Sequence, residues 1–292
     1  MTDLMDRIKN DVLIGPGDLP TNAVELGFDL LESPGFWAIN HPDAYQKVVR
    51  SWLNAGVDFI SAYTEHALRV RLKSFDLQER APEINRELLR LTKEVMPGDC
   101  YLVCRLSRAS LFVPPLGNAS MEEVCAAYIE QIDIIEEFGA DLLLVSLAAL
   151  DEMEPVIETM RKHSKLPIGA LVSFNPTPKG FRTMMGVDPT SATTKLDELG
   201  ADIIGITCGG IDFEETTAVL QEMAAVCNRH LFARPNAGVP DLINGKVIHP
   251  GTPEGMSQEA GNWVEAGARL ISGCCGTTPE HIKKTVAALK KG

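Results

Sequence analysis

The chain has 292 residues, of which 45% are hydrophobic and 23% charged, a balance typical of a soluble globular protein with a large core. Its net charge is -13 and its lysines and arginines form no block, which argues against nucleic acid as a partner. No apolar run is long enough to span a membrane and the N-terminus lacks the features of a signal peptide, so we expect a cytoplasmic protein without membrane association.

Eight short apolar runs are predicted to be buried parallel strands, because they are rich in Ile, Leu and Val and alternate with amphipathic segments typical of helices. This alternation indicates an α/β fold, and eight units in this length fit a (β/α)8 TIM barrel of one domain, residues 1–292. An open doubly wound sheet is the alternative, but the first loop, LIGPGDLPTN, lacks the GxGxxG pattern that would favour it. The predicted strands are 11–15, 57–63, 100–106, 141–147, 167–174, 202–207, 230–235 and 268–273.

A short motif recurs at every second predicted strand, and its glycine predicts a helix C-terminus in the left-handed conformation. Alternate strands of a barrel share packing layers, so packing alone is a sufficient explanation of the repeat. The copies are NAGVDFI (54–60), EFGADLLL (137–144), ELGADIIG (198–205) and EAGARLIS (265–272).

Two long segments follow predicted strands, 175–190 after the fifth and 238–253 after the seventh. We expect both to be irregular loops. Both should lie on the C-terminal face of the barrel, where active sites of this fold are built.

Three of the seven cysteines stand where predicted strands end: Cys208 in GITCGG after the sixth, and Cys274 and Cys275 in SGCCGTT after the eighth. Because all strands of a barrel open onto the same face, the three side chains can converge there. Three sulfur ligands suit Zn(II), and three protein ligands with an open fourth position are typical of a catalytic zinc site. The glycines on either side would let the backbone approach the metal closely.

Such a site would hold a substrate thiol as a thiolate, ready to attack an electrophilic carbon. One alternative is a metal-bound hydroxide for hydrolysis, although no carboxylate or histidine stands beside the cysteines in the sequence. Another is a redox-sensing pair formed by Cys274 and Cys275. The remaining cysteines are interpreted as small buried hydrophobic residues, namely Cys100, Cys104, Cys125 and Cys227.

The segments GITCGG, RPNAGVP and GCCGTTPEHI closely resemble those of the homocysteine S-methyltransferase family. That family includes the homocysteine-binding module of cobalamin-dependent methionine synthase and betaine–homocysteine methyltransferase. The resemblance covers nearly the whole chain and implies a TIM barrel with S-methyltransferase activity. It also implies that Cys208, Cys274 and Cys275 are the zinc ligands and the catalytic centre, and that Asn236 lies close to the metal as a candidate substrate-binding residue.

The first half of the chain departs from the family where the amino-acid head of the acceptor should bind. The acidic residue of the first loop is replaced, so that its role is lost or passes to Asp18. Ser146 stands where the family has a glutamate that binds the amino group of homocysteine. Glu65 after the second strand and Arg105 and Arg108 after the third are further departures, and the arginines would suit an anionic group. Ser146, Glu65 and Arg105 are therefore candidate substrate-binding residues.

The sequence thus predicts a zinc-dependent methyltransferase that moves a methyl group to a zinc-activated thiolate, homocysteine by default, which gives methionine. We expect no nucleotide-binding loop and no fused folate or corrinoid module. The donor would then be a small molecule, such as S-methylmethionine or betaine, or a methylcorrinoid on a partner protein. Two alternatives stay open: the same zinc chemistry with another thiol as acceptor, and a zinc-holding subunit of a corrinoid methyl-transfer complex.

Overall fold

The protein, a computed structural model that describes residues 2–243 and 246–290, contains the predicted (β/α)8 barrel. Eight parallel strands form one sheet in which each strand from β2 onward pairs with the next along the chain, and β8 pairs with β1. Each strand lies within its predicted range. They are β1 (Leu13–Ile14), β2 (Phe59–Ser61), β3 (Tyr101–Leu106), β4 (Leu142–Leu147), β5 (Ile168–Val172), β6 (Ile203–Thr207), β7 (His230–Arg234) and β8 (Ala268–Ile271).

Helices follow every strand and surround the sheet. None of them, in the part of the chain that the structure describes, combines the length and apolar character needed to cross a bilayer. The α-helices are α1 (Leu4–Arg7), α2 (Leu19–Ala23), α3 (Pro34–Asn40), α4 (Pro42–Asn54), α5 (Arg69–Leu72), α6 (Ala81–Val95), α7 (Met121–Glu137), α8 (Leu150–His163), α9 (Pro189–Glu198), α10 (Phe213–Ala224), α11 (Pro253–Glu265) and α12 (Pro279–Leu289). Short 3-10 helices lie at Val24–Leu26, Thr64–His66, Lys73–Phe75, Gln78–Arg80 and Ala109–Leu111.

Alternate strand positions fill the inside of the barrel. Val103 and Leu144 belong to an inner apolar cluster, which also contains Leu4 of α1 and Ile8 directly after that helix. Their neighbours Cys104 and Val145 belong instead to the larger core between the strands and the helices. Because side chains alternate along a strand, the next inward positions above the apolar layer are two residues further on. The members of the inner cluster are Leu4, Ile8, Leu13, Phe59, Tyr101, Val103, Leu142, Leu144, Leu171, Ile203, Phe232 and Leu270.

The aspartates of the recurring motif connect neighbouring strands at the N-terminal end of the barrel. Asp58, Asp141 and Asp202 each accept, at 2.8 Å, a backbone N–H from the preceding strand, in β1, β3 and β5 respectively. The fourth copy has Arg269 at this place. Packing is therefore not the whole explanation of the repeat. The predicted left-handed glycines are confirmed at Gly56, Gly139, Gly200 and Gly267, all of which have positive φ.

Asp58 also closes the barrel between β1 and β2. The backbone N–H of Asp58 donates to the carbonyl of Ile14 at 2.7 Å, and one oxygen of the Asp58 carboxylate accepts from the backbone N–H of Ile14. The other carboxylate oxygen accepts from Arg7 Nη2 at 3.0 Å and from Lys290 Nζ at 2.5 Å. One buried carboxylate therefore ties together the first and second strands and both ends of the described chain.

The expectation that segments 175–190 and 238–253 are irregular was wrong, because each contains a short antiparallel hairpin. In the first hairpin, Asn175–Thr177 pairs with Gly180–Arg182. In the second hairpin, Asp241–Ile243 pairs with Lys246–Ile248. Both follow strands at the C-terminal face of the barrel, as predicted.

We expect Asp58→Ala to lower the free energy of unfolding by about 2–3 kcal/mol, because the buried N–H of Ile14 loses its acceptor. Urea unfolding followed by circular dichroism measures the change. Asp202→Ala is the matched control: its carboxylate accepts an equivalent N–H, but its side chain is 28% exposed, so that water can replace it at a cost of about 1 kcal/mol or less. Equal losses would contradict a special role of Asp58 in closing the barrel.

Candidate metal centre and substrate cavity

The three predicted cysteines meet at the C-terminal end of the barrel. The sulfur atoms of Cys208, Cys274 and Cys275 all lie within 4.8 Å of one another. The Sγ atoms of Cys274 and Cys275 are 3.9 Å apart. Tetrahedral coordination with Zn–S bonds of about 2.3 Å separates two sulfurs by about 3.8 Å. The three-sulfur donor set, and the separation of the Cys274 and Cys275 sulfurs, therefore fit a zinc ion.

Cys274 also makes a direct sulfur contact with Cys208. These two sulfurs are paired as a disulfide, and their Cα atoms are 5.9 Å apart. The sulfurs of Cys274 and the adjacent Cys275 are 3.9 Å apart, and the alternative of a redox-sensing pair formed by these two residues stays a prediction. Since metal ligation needs thiolates, the paired state and a metal-bound state exclude each other.

The loops that carry the cysteines are held in place by backbone contacts. Cys208 has φ +53, a left-handed conformation that is uncommon for a residue with a Cβ and is often imposed at functional sites. Gly209 follows with φ +87, and a Cβ there would lie 2.2 Å from a carbonyl oxygen of the loop after β5. Asn236 Nδ2 donates to the carbonyl of Gly209 at 2.9 Å, and the N–H of Ala237 donates to that of Cys275 at 2.9 Å. Gly209 thus serves the close packing of two loops.

A buried arginine lies beside the cysteines. Arg234, the last residue of β7, is 3% exposed, and its Nη1 donates to Cys274 Sγ at 2.7 Å and to Thr207 Oγ1 at 2.8 Å. Burial, and then the charge of Arg105, lowers the pKa of Arg234 to about 10, so that it stays protonated at neutral pH. A cation beside a thiol favours the thiolate. The sequence did not predict this role, although a charge that ends the apolar run HLFARP is a usable signal.

The cysteines line a cavity of about 360 Å³. Glu65, from the segment after β2, and Arg105 and Ser146, near the ends of β3 and β4, also belong to the cavity wall. Asn236 is not part of that wall, and its Oδ1 is buried without a partner among the described residues. The wall also includes Asp18, His66, Arg71, Arg108, Thr207 and Arg234.

The expectation that no carboxylate or histidine lies beside the cysteines was wrong. Asp18, Glu65 and His66 share their cavity, because loops far apart in sequence meet at the mouth of the barrel. Asp18 begins α2 and accepts from the N–H and the hydroxyl of Thr21 at 3.2 and 3.0 Å. Burial and then the negative charge of Asp18 raise the pKa of the Cys275 thiol. Asp18 therefore opposes negative charge on the sulfurs, which Arg234 favours.

Glu65 and Arg105 form a buried ion pair, with 2.5 Å between Arg105 Nη1 and Glu65 Oε1. Burial alone would raise the pKa of Glu65, but attraction to the charge of Arg105, with a smaller contribution from Arg234, holds it below its ordinary value. Burial lowers the pKa of His66 to about 3, so its contact with Glu65 is not an ion pair at neutral pH. The pair is therefore Glu65 with Arg105.

A second cavity of about 400 Å³ adjoins the first at Cys208 and Arg108. It lies beside the two hairpins, and its wall includes Met184 and Val239, which are 68% and 42% exposed. Cys208 can thus be approached from two sides.

Of the four cysteines interpreted as small hydrophobic residues, Cys100 and Cys104 are buried. Cys125 and Cys227 are only half-buried, so the interpretation holds for two of the four.

The fold and the site define a class of protein: an eight-stranded barrel with three cysteines at its C-terminal end. Comparison with known protein families identifies one family within this class. The family model described as Homocysteine S-methyltransferase matches residues 17–289. The chain therefore belongs to the homocysteine S-methyltransferase family, a family of methyltransferases, as its motifs implied.

Individual proteins agree with this assignment. The chain is 26% identical to methionine synthase of Mycobacterium tuberculosis over 99% of its own length, but it spans only 25% of that protein. It is 27% identical to betaine–homocysteine S-methyltransferase 1 of Danio rerio, and the matched region includes 98% of this chain and 75% of the Danio rerio protein. The metallated form of the homocysteine methyltransferase MmuM from Escherichia coli has the same fold, with a TM-score of 0.79, 20% identity and 96% of both chains covered.

We expect Glu65→Gln to lower the free energy of unfolding at neutral pH by about 3 kcal/mol, since Arg105 keeps a buried charge without its partner. The pKa of Glu65 is lowered in the folded protein, so its stabilising contribution is present above the ordinary pKa of 4.5 and is lost as the pH falls below that value. The difference between wild type and variant in urea unfolding should therefore shrink as the pH is lowered from 5 to about 3.

Glu83→Gln is the control for this pH series, because Glu83 forms an ion pair with Arg80 at the surface, where its side chain is 56% exposed. That variant should change stability by less than about 0.5 kcal/mol at any of these pH values. A difference for Glu65→Gln that stayed constant down to the lowest pH would contradict the ion pair with Arg105.

Proposed function

We propose that this chain is a zinc-dependent S-methyltransferase that moves a methyl group to a substrate thiol. The observation that carries the proposal is the meeting of three cysteine sulfurs within 4.8 Å, in a member of the homocysteine S-methyltransferase family. Cys208, Cys274 and Cys275 would hold the metal, because an all-sulfur donor set favours zinc. One domain, residues 1–292, would contain the whole centre.

When bound, Zn(II) keeps a substrate thiol in its thiolate form at neutral pH and leaves it nucleophilic. The chain supplies the surroundings. Arg234, which donates to Cys274 Sγ at 2.7 Å, offsets part of the negative charge that gathers on the sulfurs. The cavity wall orients the acceptor, so that its sulfur forms the new bond to the methyl carbon while the bond from that carbon to the donor breaks. The thiol proton goes to solvent, and the bonding pair leaves with the donor.

Homocysteine, which would give methionine, is the first acceptor to test because of the family to which the chain belongs. Ser146 lines the cavity and makes no side-chain hydrogen bond with the described residues, so its hydroxyl is available to a substrate. Asn236, the other predicted substrate-binding residue near the metal, lies outside the cavity wall and donates to the loop of Cys208, so it would act on the acceptor through that loop.

The second cavity supports a methyl donor that approaches from the side of the hairpins. Small cationic donors such as betaine and S-methylmethionine need a carboxylate or aromatic rings around the cation. Neither occurs among the described residues that line this cavity, and Arg108 would repel a cation there. These features favour a methylcorrinoid on a partner protein as the donor. Exposed apolar side chains at the rim, such as Met184 and Val239, suit contact with a large partner.

We expect Cys208→Ser, Cys274→Ser and Cys275→Ser each to lose most of the bound zinc and all methyl transfer, since each removes one of three ligands. Zinc is counted by atomic emission after reduction and loading, because only reduced thiols bind the metal. Cys125→Ser, which changes a half-buried cysteine elsewhere, should keep one zinc per chain. Retention of one zinc by the triple variant would overturn the metal centre.

We expect the zinc-loaded protein to methylate its thiol acceptor from methylcobalamin, and to give no product from betaine or S-methylmethionine. The methylated thiol is measured by mass spectrometry, with Cys275→Ser as the inactive control. Turnover with either cationic donor would contradict the proposed donor side. If none of the free donors gives product but a methylated corrinoid protein does, the result would instead favour the alternative that the chain is the zinc-holding subunit of a corrinoid methyl-transfer complex.

A further inference from the structure

Four arginines line the acceptor cavity, and two of them form no ion pair. Arg105 is paired with Glu65, and Arg234 donates to a cysteine sulfur. Arg71 and Arg108 form no ion pair with any residue in the described ranges 2–243 and 246–290. Two unpaired guanidinium groups therefore face one small cavity.

Arg71 has the fewest contacts of the four. It lies in the short helix α5, its Nε is buried without a partner, and it makes no side-chain hydrogen bond with the described residues. Burial lowers the pKa of Arg71, and Arg105 lowers it further, while Glu65 opposes the shift. A partly desolvated cation that is close to a second cation is costly unless an anion joins it.

Arg108 is held at the boundary of the two cavities. Its Nη2 donates to Ser173 Oγ at 2.5 Å, and its Nε is buried without a partner. Glu152 attracts Arg108, but Glu152 Oε1 accepts backbone N–H groups at the start of α8, from Ala148 and from Ala149 at 3.0 Å. Arg108 is therefore oriented by a neutral hydroxyl, which leaves its charge for a ligand.

A substrate ammonium group would meet more positive than negative charge in this cavity. The carboxylates of the cavity wall belong to Asp18 and Glu65. Glu65 Oε1 is bound to Arg105, and Asp18 Oδ2 accepts from Thr21. The remaining oxygens, Glu65 Oε2 and Asp18 Oδ1, are buried without a hydrogen-bond partner among the described residues, but four arginines stand against these two carboxylates in the wall. This excess of positive charge favours an anionic ligand over an ammonium group.

We propose that the acceptor is a thiol whose far end carries a carboxylate, sulfonate or phosphate and that has no free ammonium, and that Arg71 and Arg108 bind this anionic end. The inference rests on the proposed function, because it takes the cysteine centre as the place of the thiol. Guanidinium groups match the geometry of oxyanions with paired hydrogen bonds. A cavity of about 360 Å³ lies within the usual range for small-molecule sites.

Four thiols with the same two-carbon spacer test the charge of the far end: 2-mercaptoethanesulfonate, 3-mercaptopropionate, 2-mercaptoethanol and cysteamine. Each is titrated calorimetrically into the zinc-loaded protein, in two buffers of different ionisation enthalpy, so that proton release is measured as well as affinity. We expect the two anionic thiols to bind about tenfold or more tightly than 2-mercaptoethanol, and cysteamine to bind most weakly. Homocysteine should bind more weakly than 3-mercaptopropionate.

Variants assign the preference to the two arginines. Arg71→Met and Arg108→Met should each weaken binding of the anionic thiols by about tenfold and leave zinc content and 2-mercaptoethanol affinity unchanged. Arg229 forms an ion pair with Asp197, and neither residue lines the cavity. Arg229→Met should therefore change neither the affinity for the anionic thiols nor the zinc content. Arg71→Lys and Arg108→Lys keep the charge but lose the paired donors, and should give intermediate affinities. If the Met variants do not fold, the affinities of the Lys variants show whether the two arginines bind the anionic end of the thiol.

Ethanesulfonate, which has no thiol, gives a readout that does not depend on the metal. It should bind to the zinc-free reduced protein, and this binding should be lost in Arg71→Met. Equal affinity for anionic and neutral thiols, or tightest binding of homocysteine, would overturn this inference and leave the proposed function intact. Absence of proton release with every thiol would overturn the proposed function, while ethanesulfonate binding would still support the anion site.

Discussion

A guanidinium buried beside three cysteine sulfurs is the interaction on which the centre depends. Arg234 is 3% exposed and donates to the sulfur of Cys274, so its charge has almost no water to solvate it. The sulfurs, as thiolates, supply the compensating charge, and in turn their own negative charge is tolerable in a buried place because the guanidinium is there. Asp18 acts in the opposite sense on Cys275. The charge on the sulfurs is thus set by groups from two different strand ends.

The barrel makes this arrangement rigid. Side chains alternate along each strand, so the inward positions two residues beyond Val103 and Leu144 carry Arg105 and Ser146. On β7 the same step leads from Phe232 in the inner cluster to Arg234 at the cavity. The polar layer therefore rests directly on the apolar interior of the barrel. Groups that belong to strands in this way are positioned more sharply than groups on loops.

The two cavities share Cys208 and Arg108. A shared cysteine suits the proposed reaction, in which a sulfur nucleophile faces an acceptor on one side and a methyl donor on the other. The first cavity is built in large part by the ends of β3 and β4 and by the segments after β1 to β3, away from the GITCGG, RPNAGVP and GCCGTTPEHI segments. The proposed zinc chemistry at the cysteines and the proposed anion binding at the arginines are therefore compatible in one barrel.

The sequence alone determined the eight strands, the barrel and the three cysteines, because apolar runs, helix-ending glycines and the GCCG segment are local patterns that a chain carries without its fold. It also placed Glu65, Arg105 and Ser146 at strand ends that open onto one face. Only the tertiary structure decided which of these groups touch: that Asp58 closes the barrel, that Glu65 pairs with Arg105, and that Arg234 reaches a cysteine. Such contacts join residues far apart in the chain, and they depend on strand register and loop path, which hydrophobic periodicity does not encode.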